Sequence, residues 1–276
     1  RVRSSAASDV YKRQGTGRVV ELSPKGRFLR AWQAACDNAP QGRPIGLALD
    51  RLGNVYVTDP AHNCVLKYSS RGRLLAQFGT AGDGEFLHPW GVAVGGRGNI
   101  FVANMDKYSI EKLSPSGYVL ATWETHSSDG SGVSLAPQNI ALDAAGNIYT
   151  VVYQPDSSGD DYVEGSYAVQ KRSSNGELLA EWTGLSAPGD PLSALAVGGR
   201  GNVFVGNLGQ GDIIKLSPRG QRVADWHTEN LTDLSDLYAI AVDRRGDLYV
   251  AGGNTGLVVK LSSTGRELAV WDGSGR

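Results

Sequence analysis

The sequence predicts an all-β protein: a six-bladed β-propeller of four-stranded antiparallel blades, truncated at the N-terminus to five full blades plus a half blade. Three observations carry this. A unit of roughly 45 residues recurs along the chain. Glycines hold two fixed turn positions in each unit, and an aromatic closes it. A four-stranded meander of such short strands cannot cover both of its faces alone, and radial stacking gives each face a neighbour.

The half unit, residues 17–33, holds only a third and a fourth strand, so the ring is expected to expose a sheet edge there. The full units span 43–82, 88–124, 136–183, 191–227 and 237–272. The second of them shows the pattern: His88-Pro-Trp-Gly-Val-Ala-Val, a Gly98-Asn99 turn, Ile100-Phe-Val-Ala-Asn104, Ser109-Ile-Glu-Lys-Leu-Ser-Pro-Ser-Gly117, and Tyr118-Val-Leu-Ala-Thr-Trp123. Gly53, Gly98, Gly146, Gly201 and Gly246 turn the first strand into the second. Gly26, Gly72, Gly117, Gly176, Gly220 and Gly265 turn the third into the fourth, where a positive φ is cheap only for glycine.

Six residues beyond each of the second set stand Trp32, Phe78, Trp123, Trp182, Trp226 and Trp271, expected to plug the gaps between blades near the rim. Five residues before stand Glu21, Lys67, Lys112, Lys171, Lys215 and Lys260. The lysine stems are expected to cover the sheet while the ammonium reaches solvent or a neighbouring blade's carboxylate. Asp50, Asp143 and Asp243 are read as acceptors of turn amide hydrogens. The parallel solenoids that also repeat have units of about 20–29 residues with one or two strands, which excludes them.

Composition agrees. With 276 residues, 41% apolar and 20% charged, the chain buries a sizeable core, and 37 glycines against 11 prolines favour tight turns over long helices. Lys+Arg 27 against Asp+Glu 28 leaves a net charge of -1, without the long-range attraction on which nucleic-acid and anionic-membrane binders rely. No nucleic-acid partner is expected, although a local patch is compatible with a neutral total. No run approaches 18 apolar residues, so no membrane span is expected. Residues 1–14 lack the apolar core of a secretory signal and read as a non-native or disordered tail ahead of a propeller domain at 15–276. Cys36 and Cys64 suit either one bridge or two thiols, and Asn230-Leu-Thr232 is a glycosylation acceptor; an extracellular or cell-surface location is slightly favoured.

Pro44-Ile-Gly-Leu-Ala-Leu-Asp50, Gly53-Asn-Val-Tyr-Val-Thr-Asp59 and Val65-Leu-Lys-Tyr-Ser-Ser-Arg-Gly72 resemble the NHL repeat, as do the matching segments from His88 and Leu237. The resemblance covers residues 17–272 and implies a six-bladed ring. It fixes no function, since such propellers serve as sensor domains, as protein- and RNA-binding modules and as the lyase of peptide amidation. That lyase implies several axial zinc-binding histidines. Here His88 alone holds the register, against Arg43, Ala136, Pro191 and Asp236.

Two sets of residues at the ring's mouth are candidates. Trp90, Gln138, Asn139, Ser193 and Tyr238 begin inner strands and would suit a polar-aromatic ligand groove. Asp59, Asn104 and Asn207 end second strands and, with His88, are the metal candidates; calcium is the cofactor weighed, against none. In the third full unit the turn glycines lie 30 residues apart instead of 19, through an insertion around Gln154-Pro-Asp-Ser-Ser-Gly-Asp-Asp-Tyr-Val-Glu-Gly165 that reads as a solvated loop, with a partner contact or a metal site as the alternatives. The function expected is a non-enzymatic scaffold recognising a protein, peptide or glycan at one mouth. The alternative is a calcium-dependent propeller hydrolase or lyase with an axial site.

Overall fold

The computed structural model describes residues 9–13 (backbone only), 17–36, 42–79, 86–155, 165–208, 211–227, 237–252 and 256–272. They form six antiparallel meanders. The first sheet has three strands, β1 (Asp9–Arg13), β2 (Arg18–Leu22) and β3 (Phe28–Gln33). The second comprises β4 (Leu47–Leu49), β5 (Val55–Asp59), β6 (Cys64–Tyr68) and β7 (Leu74–Phe78). The third comprises β8 (Pro89–Val94), β9 (Ile100–Asn104), β10 (Ser109–Leu113) and β11 (Val119–Glu124). The fourth comprises β12 (Ala136–Leu142), β13 (Ile148–Gln154), β14 (Ser166–Arg172) and β15 (Leu178–Trp182). The fifth comprises β16 (Leu192–Val197), β17 (Val203–Asn207), β18 (Asp212–Leu216) and β19 (Arg222–His227). The sixth comprises β20 (Leu237–Val242), β21 (Leu248–Gly252), β22 (Leu257–Leu261) and β23 (Glu267–Asp272).

The architecture is therefore a β-propeller with five four-stranded blades. The half blade expected before them is corrected to a three-stranded sheet. β1 pairs with β2 from Asp9↔Leu22 to Arg13↔Arg18, which covers the edge expected to be open. Unpaired backbone groups on a strand edge are satisfied by any extended segment within reach, and residues 9–13 lie a few positions upstream. β1 falls inside the span expected to form a tail; residues 1–8 and 14–16 lie outside the described ones.

The core lies between the sheets. The aliphatic-aromatic runs of β5, β9 and β17 are buried along their whole length because a neighbouring sheet covers each face. One apolar cluster joins Tyr56 and Val65 to Val92, Ile100 and Leu113 across the second and third sheets. Another joins Phe204 and Ile213 to Leu237, Leu248 and Val259 across the fifth and sixth. Each such side chain, fully buried, contributes about 1.5–3 kcal/mol.

Each seam is finished by the outer aromatic. Trp32 lies against Gly72, Phe78 against Gly117, Trp123 against Gly176, Trp182 against Gly220 and Trp226 against Gly265. Trp271 lies against Gly26, so the last sheet abuts the first. The inter-blade role expected for these aromatics holds, and the hairpin glycines acquire a second reason. Besides φ values of +72° to +92°, they leave the space where a ring rests.

The lysine expectation is corrected in one respect. Lys112, Lys171 and Lys215 stand over the aromatics of their own second strands, and their ammonium groups donate to the backbone carbonyls of Ser174, Pro218 and Ser263 in the next sheet's hairpin, not to a carboxylate there. A tight hairpin presents carbonyls to whatever cation sits below it. Lys260 instead bridges Asp243 and Asp247 of its own sheet. Burial works against its charge, yet Tyr249 and Asp247 hold its pKa above the usual lysine range.

Because successive strands reverse direction, the tight turns fall on one face of the ring, the turn face. The loops between second and third strands and the connections between sheets fall on the other, the loop face. The turn face is nearly uniform. Asp50 accepts from the amides of Leu52 and Asn54 at 2.9 Å, as the sequence reading expected, and Asp143 and Asp243 repeat the motif. Ser69, Ser114, Ser217 and Ser262 accept the amide four residues on at 3.1–3.2 Å.

Candidate functional site

The loop face is the less uniform of the two. The inner strands meet there. Asn139 donates through Nδ2 to the Ser193 carbonyl at 2.5 Å, and Ser193 donates through Oγ to the Leu237 carbonyl, next to Tyr238. Thr58 donates to the Trp90 carbonyl at 2.7 Å. Gly46 approaches the backbone at Trp90, and Gly91 the backbone at Gln138, too closely for any side chain.

The five expected ligand residues thus begin neighbouring inner strands, but with different duties. Asn139 and Ser193 use their polar atoms to stitch one sheet to the next. Trp90 packs half-buried on Met105, Ala136 and Tyr153, its ring edge-on to His88 with centroids 5.5 Å apart. Gln138 is half-buried, and Tyr238 is exposed.

Asp59, Asn104 and Asn207 end β5, β9 and β17, all buried. Asp59 accepts from the Arg43 amide at 3.2 Å and pairs with His62 Nδ1 at 2.8 Å. Asn104 accepts from the Leu87 amide at 2.7 Å and donates to Glu111 at 2.7 Å. Both therefore hold down the connection that enters their own sheet. His88, at φ +58°, pairs with Asp106 at 3.2 Å. The remaining histidines also face carboxylates near their own strands: His126 with Glu124 at 3.0 Å and His227 with Asp212 at 2.9 Å.

Cys36 and Cys64 are joined by a disulfide with Cα atoms 6.5 Å apart, tying the end of the first sheet to β6. With Asp59 they form the one cluster, among the described residues, of three His, Cys, Asp or Glu ligand atoms within 4.8 Å of one another. The sulfurs there are bonded to each other. Beside them, burial pushes the Tyr68 phenol up to about 12.

Two clefts flank the connection after β15 and share Gly184, Ser186 and Ala187 as a wall. One, of about 270 Å³, is mostly apolar and includes Leu135, Val152, Tyr167 and Pro188. The other, of about 280 Å³, is polar and includes Asn207, Asp212 and Arg222, whose guanidinium pairs with Asp225 at 2.9 Å and reaches the Leu185 carbonyl at 3.1 Å. Beneath the apolar cleft, buried Gln170 donates to Glu181 at 2.6 Å and accepts from Arg172 at 3.0 Å. Burial lowers the Arg172 pKa, and Glu181 partly restores it.

Of this lining the sequence reading singled out Asn207, as a metal candidate, and missed Asp212 and Arg222. A signal for Asp212 existed, because the start of each third strand faces the end of the second, as Cys64 faces Asp59 and Ser109 faces Asn104. The insertion lies mostly outside the described residues, as does the acceptor at Asn230.

Neither a protein-family model nor a curated protein matches the chain in sequence. Its fold matches solved β-propellers. Virginiamycin B lyase from Staphylococcus aureus superposes with a TM-score of 0.65 at 14% identity, over 97% of this chain and 81% of that one. A chain of a nidogen/laminin complex gives 0.67 at 20% identity, over 94% and 91%. A gluconolactonase from Xanthomonas campestris gives 0.60 at 17% identity, over 82% and 75%. The chain is thus a β-propeller protein, and at these identities the likeness is one of fold. No described helix is long and apolar enough to cross a membrane.

Proposed function

We propose that the protein is a non-enzymatic recognition module, an NHL-type ring of six sheets, the first with three strands, which engages a protein or peptide on the loop face; a glycan is the alternative ligand. The observation that carries this reading is the contrast between faces. The six sheets share one kind of tight turn, with glycine in the fourth place of every one, whereas the loop face holds two unlike clefts, exposed Tyr238 and half-buried Trp90. Rigid sheets hold that surface in place, so binding orders little. The Cys36–Cys64 bridge supports an extracellular or cell-surface setting.

The competing reading is a calcium-dependent hydrolase or lyase using Asp59, Asn104, Asn207 and His88. It draws on the lyase and gluconolactonase folds. Against it, Asp59 and Asn104 already anchor loop amides, and His88 pairs with Asp106.

Selection of a random-peptide library on the immobilised chain tests the proposal. Enriched peptides should lose at least tenfold in affinity with Tyr238→Ala or Trp90→Leu. Peptides indifferent to both substitutions, or no enrichment, would overturn it. So would about one calcium per chain in metal analysis of protein purified without chelator, lost in Asn104→Ala and Asn207→Ala.

A further inference from the structure

The near-neutral total conceals a polarised molecule. The turn face consists of eleven five-residue turns: 23–27, 50–54, 69–73, 95–99, 114–118, 143–147, 173–177, 198–202, 217–221, 243–247 and 262–266. Together they hold 11 Lys and Arg against 5 Asp and Glu, although the whole chain has a net charge of -1. All 11 cations, Lys25 and ten arginines, are exposed.

The five carboxylates offset them poorly. Asp50, Asp143 and Asp243 are half-buried and turned inward onto backbone amides, and Asp247 is held by Lys260 at 3.0 Å. Only Glu177 among the five is exposed. From below, the ammonium groups of Lys112, Lys171 and Lys215 rise to the hairpin carbonyls and add to the positive potential. The Arg51 guanidinium lies over Gly96, beside Arg97 in the next sheet, so cations cross seams as well as follow them.

We infer that the turn face is a docking surface for an acidic polysaccharide, one bearing sulfate esters, separate from the recognition proposed for the loop face. Guanidinium groups bind oxyanions through paired, parallel N–H donors, and ten of the eleven cations are of that kind. A surface of tight turns has no helix to enter a duplex groove. Binding of single-stranded nucleic acid needs aromatic platforms, and exposed Tyr118 is the one aromatic in the eleven turns. The disulfide accords with an oxidising compartment, where sulfated polysaccharides are met.

The test is binding of the intact, oxidised chain to heparin, with chemically desulfated heparin, single-stranded DNA and anionic phospholipid vesicles as comparators. Heparin should bind, and its affinity should fall at least about tenfold between about 50 and 200 mM salt as counterion release weakens. Desulfation should remove most of the affinity. The pairs Arg71→Ser with Arg73→Ser, and Arg97→Ser with Arg200→Ser, should each weaken binding about tenfold while circular dichroism stays unchanged. Lys107→Ser on the loop face should leave it intact. No heparin binding at low salt, tighter binding of DNA or vesicles than of heparin, or equal losses from Lys107→Ser and the arginine pairs would overturn the inference. Tyr238→Ala, which tests the loop face, leaves this surface untouched, so the two proposals fail separately.

Discussion

Gly246 and Gly265 belong to the same sheet and have nearly the same backbone, at φ +87° and +84°. Alanine at either meets the left-handed penalty of about 1–2 kcal/mol, offset by about 0.4–1 kcal/mol from the stiffer unfolded chain. Their surroundings differ. A methyl at Gly246 would find Ser263 at 3.6 Å, an ordinary contact, whereas one at Gly265 would stand 2.7 Å from the Trp226 ring. Displacing that ring adds an overpacking cost of about 1–3 kcal/mol. Gly265→Ala is therefore expected to cost about 2 kcal/mol more than Gly246→Ala, or roughly 4 °C in Tm for a chain of this size. Thermal and urea unfolding followed by far-ultraviolet circular dichroism reads the difference. Replacing Trp226 by leucine in the Gly265→Ala background should recover part of it. Equal losses for the two glycines would show that the ring does not rest on Gly265, and the account of the seams would fall with it.

Alkaline pH should weaken the junction of the first and second sheets. Burial favours the neutral Tyr68 phenol, so its folded pKa stands near 12, above the ordinary 10; the stability it contributes is complete below pH 10 and is lost as pH rises through about 12. Allowing for screening, that is about 1–2 kcal/mol, and Tyr68→Phe should flatten this part of the stability-pH curve; an unchanged curve would refute it. Reduction of Cys36–Cys64, 28 residues apart in sequence, should cost about 3–4 kcal/mol by loss of loop closure. Unfolding with and without reductant checks this, with Cys36→Ser expected to remove the sensitivity.

The repeats made most of the fold legible. Glycine spacing located all five four-stranded sheets, and the aromatic register located the seams, because both obey local rules that recur in every unit. β1 was not legible, since Asp9–Arg13 carries no repeat pattern and is a strand only because β2 offers it an edge. The site was harder still. Asp59 and Asn104 stand in the register expected, yet most of their partners, His62 and the amides of Arg43 and Leu87, come from connections whose path no repeat encodes, while Glu111 of β10 holds a repeat position at which the other sheets carry different residues. The turn-face charge was in plain view but summed away, because a chain total does not say which face a residue occupies.

The loop face also has a use in the laboratory. The fourth sheet carries the long insertion between its second and third strands, and β13 and β14 still pair without interruption from Ile148↔Arg172 to Gln154↔Ser166. A ladder that stays closed under an unrelated excursion is a ready-made display platform. Foreign peptides grafted between β21 and β22, where the native connection is short, should be presented by a frame whose folding instructions reside elsewhere.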